Sequence, residues 1–304
     1  MTAEKPRRTK VLRFAVQFVL GAAGIAFIVI ELRKATKHGW HSVIPSAPRF
    51  VIAEVLLVAG LLASAAVWRA VLGPHERPWA ITRGFFISVL AKYVPGGIWQ
   101  AVGQAGTATQ TGVPARRAVT AVPVNSLILA ISGACIGACI AFTATKLAMP
   151  LRVVAGCALV SIALLDRRWI SAVLVFAGRF VKRLPQPDAL PEQRWIIEGF
   201  VVSVASVAAL SAGFAVLVHG ALPELFAFAA AWTVGYILLP IPNGLGVREA
   251  ILLALVAKPS AIVLGASVAL RVAMMLAEVA TAAIASAWAA ARDRRALSRL
   301  ERTR

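Results

Sequence analysis

The sequence predicts an all-α, polytopic integral membrane protein, and three observations carry that prediction. Of its 304 residues, 60% are hydrophobic and only 15% charged, well outside the usual balance of a soluble domain. The apolar residues come in runs of roughly 20 or more with few charges, long enough to cross a ~30 Å hydrocarbon core as helix. The runs lack the alternating pattern of a β-barrel, so helices must satisfy the backbone within the bilayer.

Full spans are expected at 13–31, 50–72, 117–145, 148–165, 195–218 and 260–290. Lys5, Arg7, Arg8, Lys10 and Arg13 precede the first apolar run, which reaches Ile30. That run is too long for the core of a signal peptide and ends in Glu31-Leu32-Arg33-Lys34 without a clear cleavage site, so it reads as a retained span. Two more apolar stretches, 78–110 and 222–257, are broken near their middles by Val94-Pro95-Gly96-Gly97-Ile98 and Ile241-Pro242-Asn243-Gly244-Leu245. Proline removes a backbone donor and glycine loosens the chain, so each stretch should divide into two half-helices too short to span alone. Irregular backbone at membrane depth is tolerated where protein or a wet cavity covers it, which places both breaks at an interior site.

The formal net charge of +19 suggests nucleic acid only superficially. The basic residues lie at segment ends rather than on one continuous surface with interleaved aromatics, which is the positive-inside pattern. The amino terminus, Arg77 with Arg83, Arg116 with Arg117, the connection from Arg167 to Arg194, and the tail with Arg292, Arg294, Arg295, Arg299, Arg302 and Arg304 should share the cytoplasmic side. With both termini inside a cytoplasmic (cell) membrane, the number of full crossings is even. Six full spans fit if the two broken stretches are re-entrant hairpins from opposite faces, although Arg33, Lys34 and Lys37 then lie outside. Eight spans are the alternative.

On the six-span assignment, 50–145 and 195–290 each read as span, hairpin, span, starting from opposite sides. That is an inverted repeat within a single membrane domain, 1–304. The two breaks are 147 residues apart, and Val113-Pro114 and Lys258-Pro259 recur at nearly the same interval. Inverted repeats with broken helices are a common transporter plan. Between the repeats, the connection 167–194 carries Trp169 to Leu184, which reads as an amphipathic helix on the cytoplasmic leaflet, followed by a linker stiffened by Pro185, Pro187 and Pro191. Residues 291–304 form a basic cytoplasmic tail.

Catalytic signatures are absent from the sequence: no phosphate-binding P-loop, no Gly-x-Ser-x-Gly, no HExxH, no CxxC and no close aspartate pair. Asp166, Asp188 and Asp293 are far apart and all fall at the expected cytoplasmic face, a poor match to a metal-dependent membrane glycosyltransferase. Cys135, Cys139 and Cys157 lie inside apolar runs and read as packing residues. No cofactor, metal or nucleic acid is expected.

The intramembrane ionisable residues are more informative, because a charge at the bilayer centre costs a few kcal/mol or more. Arg248 and Glu249 follow the second break, and Arg271 and Glu278 sit inside the last span. Seven residues put Arg271 and Glu278 on one helix face about 10 Å apart, too far to pair with each other. Each needs another partner, and Arg248 and Glu249 are the natural candidates, whether as a ligand site or as a structural ion-pair network. Around the first break stand Lys92 and Tyr93, then Trp99, Gln100 and Gln104. A half-helix starting at Gly97 would offer free amides and its positive dipole end to a phosphate or carboxylate, with Lys92 beside it. Lys92 and Tyr93 equally suit an interfacial anchor. Asn125 is positioned to cap the break, and Gly133 with Gly137 forms a GxxxG of the kind that packs helices.

Two segments, Lys92-Tyr93-Val94-Pro95-Gly96-Gly97-Ile98-Trp99 and Pro240-Ile241-Pro242-Asn243-Gly244-Leu245-Gly246-Val247-Arg248-Glu249-Ala250, resemble the signature segments of the lysylphosphatidylglycerol synthase transmembrane (flippase-like) family. The second is the more specific, and the resemblance covers roughly residues 10 to 290. It implies a lipid-flippase-like domain, with Pro95, Gly97, Pro242, Gly244, Gly246, Arg248, Glu249 and Arg271 in functional positions. The chain departs from the family at Val124-Asn125-Ser126-Leu127, where a Glu-Arg pair is frequent, at Gln104, where an arginine is common, and at Asn243, which replaces a usual glycine. The larger family enzymes carry a soluble aminoacyl-transfer domain that this sequence does not, so lipid aminoacylation is not expected.

These readings give one expectation with two rivals. The expectation is a transporter that moves an anionic phospholipid or polyprenyl-linked intermediate between leaflets, its phosphate meeting Lys92, Tyr93, Pro95, Gly96, Gly97, Trp99, Gln100 and Asn125 from one half. From the other half come Pro242, Asn243, Gly244, Gly246, Arg248, Glu249, Arg271 and Glu278. The rivals are a scaffold that holds a partner glycosyltransferase at the membrane and a membrane-embedded transferase.

Overall fold

The computed structural model describes residues 30, 33, 45–93, 98–143, 156–178, 187–237 and 246–302, omitting the side chains of 142–143, 177–178, 187 and 293–302. The expected first span and both break motifs, 94–97 and 238–245, therefore lie outside the described residues, as does 144–155 at the start of the expected fourth span. Of that span, Gly156–Leu165 is described as a short apolar helix. The described chain is helical, with no strand among those residues.

Helix α1, Ala47–Leu72, starts with a proline in its first turn and stops at Gly73. The φ of +75° at Gly73 is one that side chains rarely adopt, and its N–H closes the last turn on the Arg69 and Ala70 carbonyls. Two short helices follow, α2, Pro78–Leu90, and α3, Trp99–Gln110, on either side of the first break. Helix α4, Ala115–Ala138, contains Pro123. Helix α5, Arg167–Gly178, occupies the first part of the expected amphipathic connection. The second half repeats the order of the first, with α6, Gln193–Leu217, then the short α7, Leu222–Ile237, and α8, Val247–Leu255, then α9, Ser260–Arg302.

Four of these helices are long and apolar enough to cross a membrane among the described residues: α1, α4, α6 and the Ser260–Arg292 portion of α9. Their outward faces carry bare apolar side chains such as Val55, Val201, Val279 and Ile284, each more than half exposed. Water would disfavour that surface and lipid tails would not. The protein is thus an all-helical, membrane-embedded chain. At 1.5 Å per residue, α2, α3, α7 and α8 are about 20, 18, 24 and 14 Å long, short of the hydrocarbon thickness.

Helices α1 and α6 form the central contact and run antiparallel. Ala53 and Leu57 lie against Gly213, Gly60 against Leu210 and Ser206, and Val67 and Val71 against Gly199. Ser206 Oγ donates to the Gly60 carbonyl at 2.8 Å and accepts from Ser64 Oγ at 2.7 Å, so one hydroxyl ties two turns of α1. Small residues set this separation, since a Cβ on Gly60 would lie 2.7 Å from Leu210. The short helices pair antiparallel too, with Gly84 on Thr107 and Gly103 on Ser88 joining α2 to α3. Helix α7 packs on α8.

Contacts between the halves are reciprocal. The long α4 packs on the short α7, and the long α9 packs on the short α2. Gly133 and Gly137 give α4 its fit, facing Trp232, Thr233 and Ala230 of α7. At one end of the bundle Gly73 meets Arg117 and Trp195, while Arg292 lies over the Trp79 ring. At the other end the Arg49 guanidinium meets the His219 ring, and Lys258 Nζ donates to the His219 carbonyl at 3.0 Å and faces Glu224 at 3.8 Å. Hence α2 starts at the first end and α4 resumes there after α3, whereas α7 starts and α8 finishes at the second end.

Candidate functional site

The interior ionisable residues gather where the short helices meet α9. Helix α8 begins beside the second break at Gly246, whose φ of +84° calls for glycine and whose N–H donates to Glu249 Oε2 at 2.9 Å. That bond fixes the Glu249 carboxylate at the helix start, where the dipole favours negative charge. Its other oxygen accepts from Arg271 Nη2 at 2.8 Å and Nε at 3.2 Å. Glu249 is fully buried, so the ion pair forms where water offers little competition and losing either partner is costly.

One residue earlier, Arg248 is also buried, at 8% exposure. Its Nε stands 3.5 Å from Glu249 Oε1, close enough for attraction but beyond a good hydrogen bond. Buried Nε and Nη2 have no hydrogen-bond partner. The guanidinium carbon lies over the Phe228 ring, 5.5 Å from its centroid. Phe228 is itself held by stacking on Phe214 of α6 at 5.0 Å.

At the end of α2, Lys92 forms a salt bridge with Glu278 of α9, and Tyr93 Oη donates to the other carboxylate oxygen at 2.9 Å. Glu278 is 1% exposed and Lys92 21% at the side chain. Arg248 and Arg271 both lie within electrostatic reach of Lys92, so the two tips belong to one charged region. That region sits near mid-depth, since Arg271 is 11 residues from the start of α9 and Glu278 is 14 residues before Arg292.

No family model matches the chain, and no curated protein matches it.

The flippase-like resemblance accordingly rests on the two sequence segments alone. Of the residues it and the spacing singled out, the structure brings together Lys92, Tyr93, Gly246, Arg248, Glu249, Arg271 and Glu278. Pro95, Gly96, Gly97, Pro242, Asn243 and Gly244 lie outside the described residues. Helix α3 starts at Trp99 rather than Gly97, with Trp99 exposed and Gln100 half-buried. Asn125 is buried in α4, and its Oδ1 has no hydrogen-bond partner. Glu278 pairs with Lys92 and Tyr93, not with Arg248. Local spacing cannot show that contact, because it joins residues 186 positions apart.

Outside the membrane-spanning segments, His75 lies half-buried in the loop after α1. Burial, opposed by its hydrogen bond to the Gly73 carbonyl and aided by the Arg117 and Arg69 charges, holds it below its ordinary value. Trp195 Nε1, near Gly73, is buried without a partner, and Arg194 stacks on the Trp195 ring at 4.6 Å. The start of α5 is already capped, with the Arg168 amide donating to Asp166 Oδ1 and the Arg167 amide to Gln193 Oε1, at 2.8 and 2.7 Å.

Proposed function

We propose that this protein is a lipid flippase-like transporter that carries an anionic phospholipid or polyprenyl-linked intermediate between the leaflets of the cell membrane. The observation that carries the reading is the charged region itself. Two pairs of short helices approach it from opposite ends of the bundle, and both fasten their inner tips to α9. A mid-depth polar site reached from either side is what alternating access to a lipid headgroup requires.

The inverted-repeat arrangement and the re-entrant character of the short-helix pairs belong to this proposal. In their favour stand the same long, short, short, long order in both halves, the antiparallel α1–α6 contact and the reciprocal packing of α4 on α7 and α9 on α2. Orientation follows from charge. Arg69, Arg77, Arg116, Arg117, Arg194 and Arg292 crowd one end and Arg49 with Lys258 the other, so the first end faces the cytoplasm. On this orientation α5 lies on the inner leaflet, its exposed Trp169, Val173 and Phe176 entering the lipid.

The test is translocation of a fluorescent, negatively charged lipid in vesicles reconstituted with the full chain. Transport by the wild type that falls at least tenfold in Arg248→Ala and Arg271→Ala is expected. Absence of transport for every lipid tried, together with full complementation of a deletion strain by those same variants, would replace this reading with the scaffold for a partner glycosyltransferase.

A further inference from the structure

We infer that Glu54, on α1, is a proton-binding site within the membrane, a carboxyl held as the neutral acid that exchanges its proton with the aqueous phase at the nearer end of the bundle. The inference goes beyond the transporter reading and rests on it only for the use to which such a proton is put.

Glu54 is the only acidic residue of α1, seven residues in from Ala47 and so about 10 Å along the helix. It lies deeper than the Arg49, His219 and Lys258 cluster at that end, and shallower than the mid-depth charges around Arg271, 11 residues into α9. On the helix it belongs to an inward stripe that runs on through Val58, Leu61, Ala65 and Trp68, the last three 5%, 2% and 0% exposed. The lipid-facing stripe is a different one, with Val51, Val55 and Leu62 each more than half exposed. Glu54 is half-buried, and its buried Oε2 has no hydrogen-bond partner.

Among the described residues no base pairs with it. Lys92 stands against Glu278, Arg248 and Arg271 against Glu249, and Lys258 against Glu224. Arg49, five positions earlier on α1, points about 140° away around the helix and meets the His219 ring. Helices α6, α9, α4 and α2 pack on α1. Toward this end, α6 from Leu210 to Leu217 and α9 from Ser260 to Leu270 carry no ionisable side chain. Helix α4 brings Cys135, whose thiol donates to the Ala158 carbonyl at 3.4 Å, and α2 has only Arg83, toward the opposite end. A carboxylate in apolar surroundings with no countercharge discharges by taking up a proton. Packing does not account for the residue, since a leucine there would continue the apolar stripe without that cost. On the transporter reading this end faces outward, so the proton comes from outside and a proton gradient is the driving force the site can supply.

The experiment uses the full chain in phosphatidylcholine nanodiscs, the lipid-soluble reagent dicyclohexylcarbodiimide, and mass spectrometry of the glutamate peptides. The reagent takes the protonated acid. The carboxyl proton passes to a carbodiimide nitrogen, the oxygen bonds to the central carbon, and acyl migration to nitrogen leaves a stable acylurea with no atom lost. Near neutral pH, Glu54 should be labelled about tenfold or more faster than the ion-paired Glu249 and Glu278 and the exposed Glu192, and its labelling should fall as the pH is raised. Labelling no faster than that of Glu192, or insensitive to pH, overturns the inference. In vesicles, an imposed pH gradient should change the initial rate of fluorescent lipid transfer by the wild type. Glu54→Gln, which copies the neutral acid, should lose that response while keeping its thermal unfolding midpoint, and an equal response in the two would overturn the coupling. Labelling without lipid transfer would leave the proton site standing while removing the transporter reading, and lipid transfer with Glu54 unlabelled would do the reverse.

Discussion

Helices α4 and α9 occupy matching places in the two halves, yet they offer opposite surfaces to the short helices packed on them. Helix α4 meets α7 with glycines, Gly133 and Gly137, and its only buried carboxamide, Asn125, leaves its Oδ1 unpartnered. Helix α9 meets α2 and α8 with charges, Glu278 for Lys92 and Tyr93, and Arg271 for Glu249. The difference separates architecture from chemistry. Packing of a long helix on a short helix of the other half occurs in both directions, whereas these interior ion pairs are concentrated on one helix of the second half, with the acid on α9 in one pair and the base on α9 in the other.

The contrast breaks most sharply at Glu249. Glu249→Gln leaves the buried Arg248 and the partly buried Arg271 without this countercharge and should cost about 3 kcal/mol or more. Thermal unfolding in detergent should show the loss, and an unchanged midpoint would mean that the pair does not hold α8 to α9. On the glycine side, Gly137→Ala would put a Cβ 2.7 Å from the Ala230 backbone. Overpacking of about 1–3 kcal/mol is expected, with lipid selectivity intact in the folded fraction. A change in selectivity there would erase the distinction between the two helices. Ser206→Ala, at the α1–α6 contact common to both halves, should cost about 1 kcal/mol by the same unfolding measurement.

The smallest effect belongs to His75, in the loop that follows α1. Its folded value lies below the ordinary 6.5, so the unfolded chain takes up the proton first. Its contribution is therefore complete above that pH and is lost as the pH falls below it. Comparing His75→Gln with the wild type between pH 7.5 and 5 should show a flatter stability profile in the variant. An identical slope would clear His75 of any part in it.

Much of the bundle was legible in the sequence because long apolar runs fix long helices. The expected spans at 50–72, 195–218 and 260–290 fall on α1, α6 and α9 within a few residues. At 117–145 the continuous helix ends at Ala138 and a separate turn of helix occupies Ile140–Thr143. Helix α9 runs on to Arg302, past the apolar run, because an arginine-rich tail with alanine and leucine remains a good helix former once out of lipid. Intramembrane charges marked Arg248, Glu249, Arg271 and Glu278 as interior groups by cost alone. Their pairing was not legible in full. Arg271 and Glu249 are 22 positions apart on consecutive helices, whereas Lys92 reaches Glu278 only because α2 docks on α9, which depends on the fold of both halves. The unpartnered nitrogens of Arg248 had no sequence signal beyond the charge itself.

Arg271 and Glu278 are rigidly spaced, two turns apart on one uninterrupted helix. Whatever shifts α9 along its axis must therefore displace the Lys92 and Glu249 attachments by the same distance and in the same sense. Because the short helices they fasten approach from opposite ends, a slide toward one end presses one pair inward as it draws the other outward. A single helix thus couples the inner tips of the two short-helix pairs, and neither tip can travel freely while both ion pairs hold.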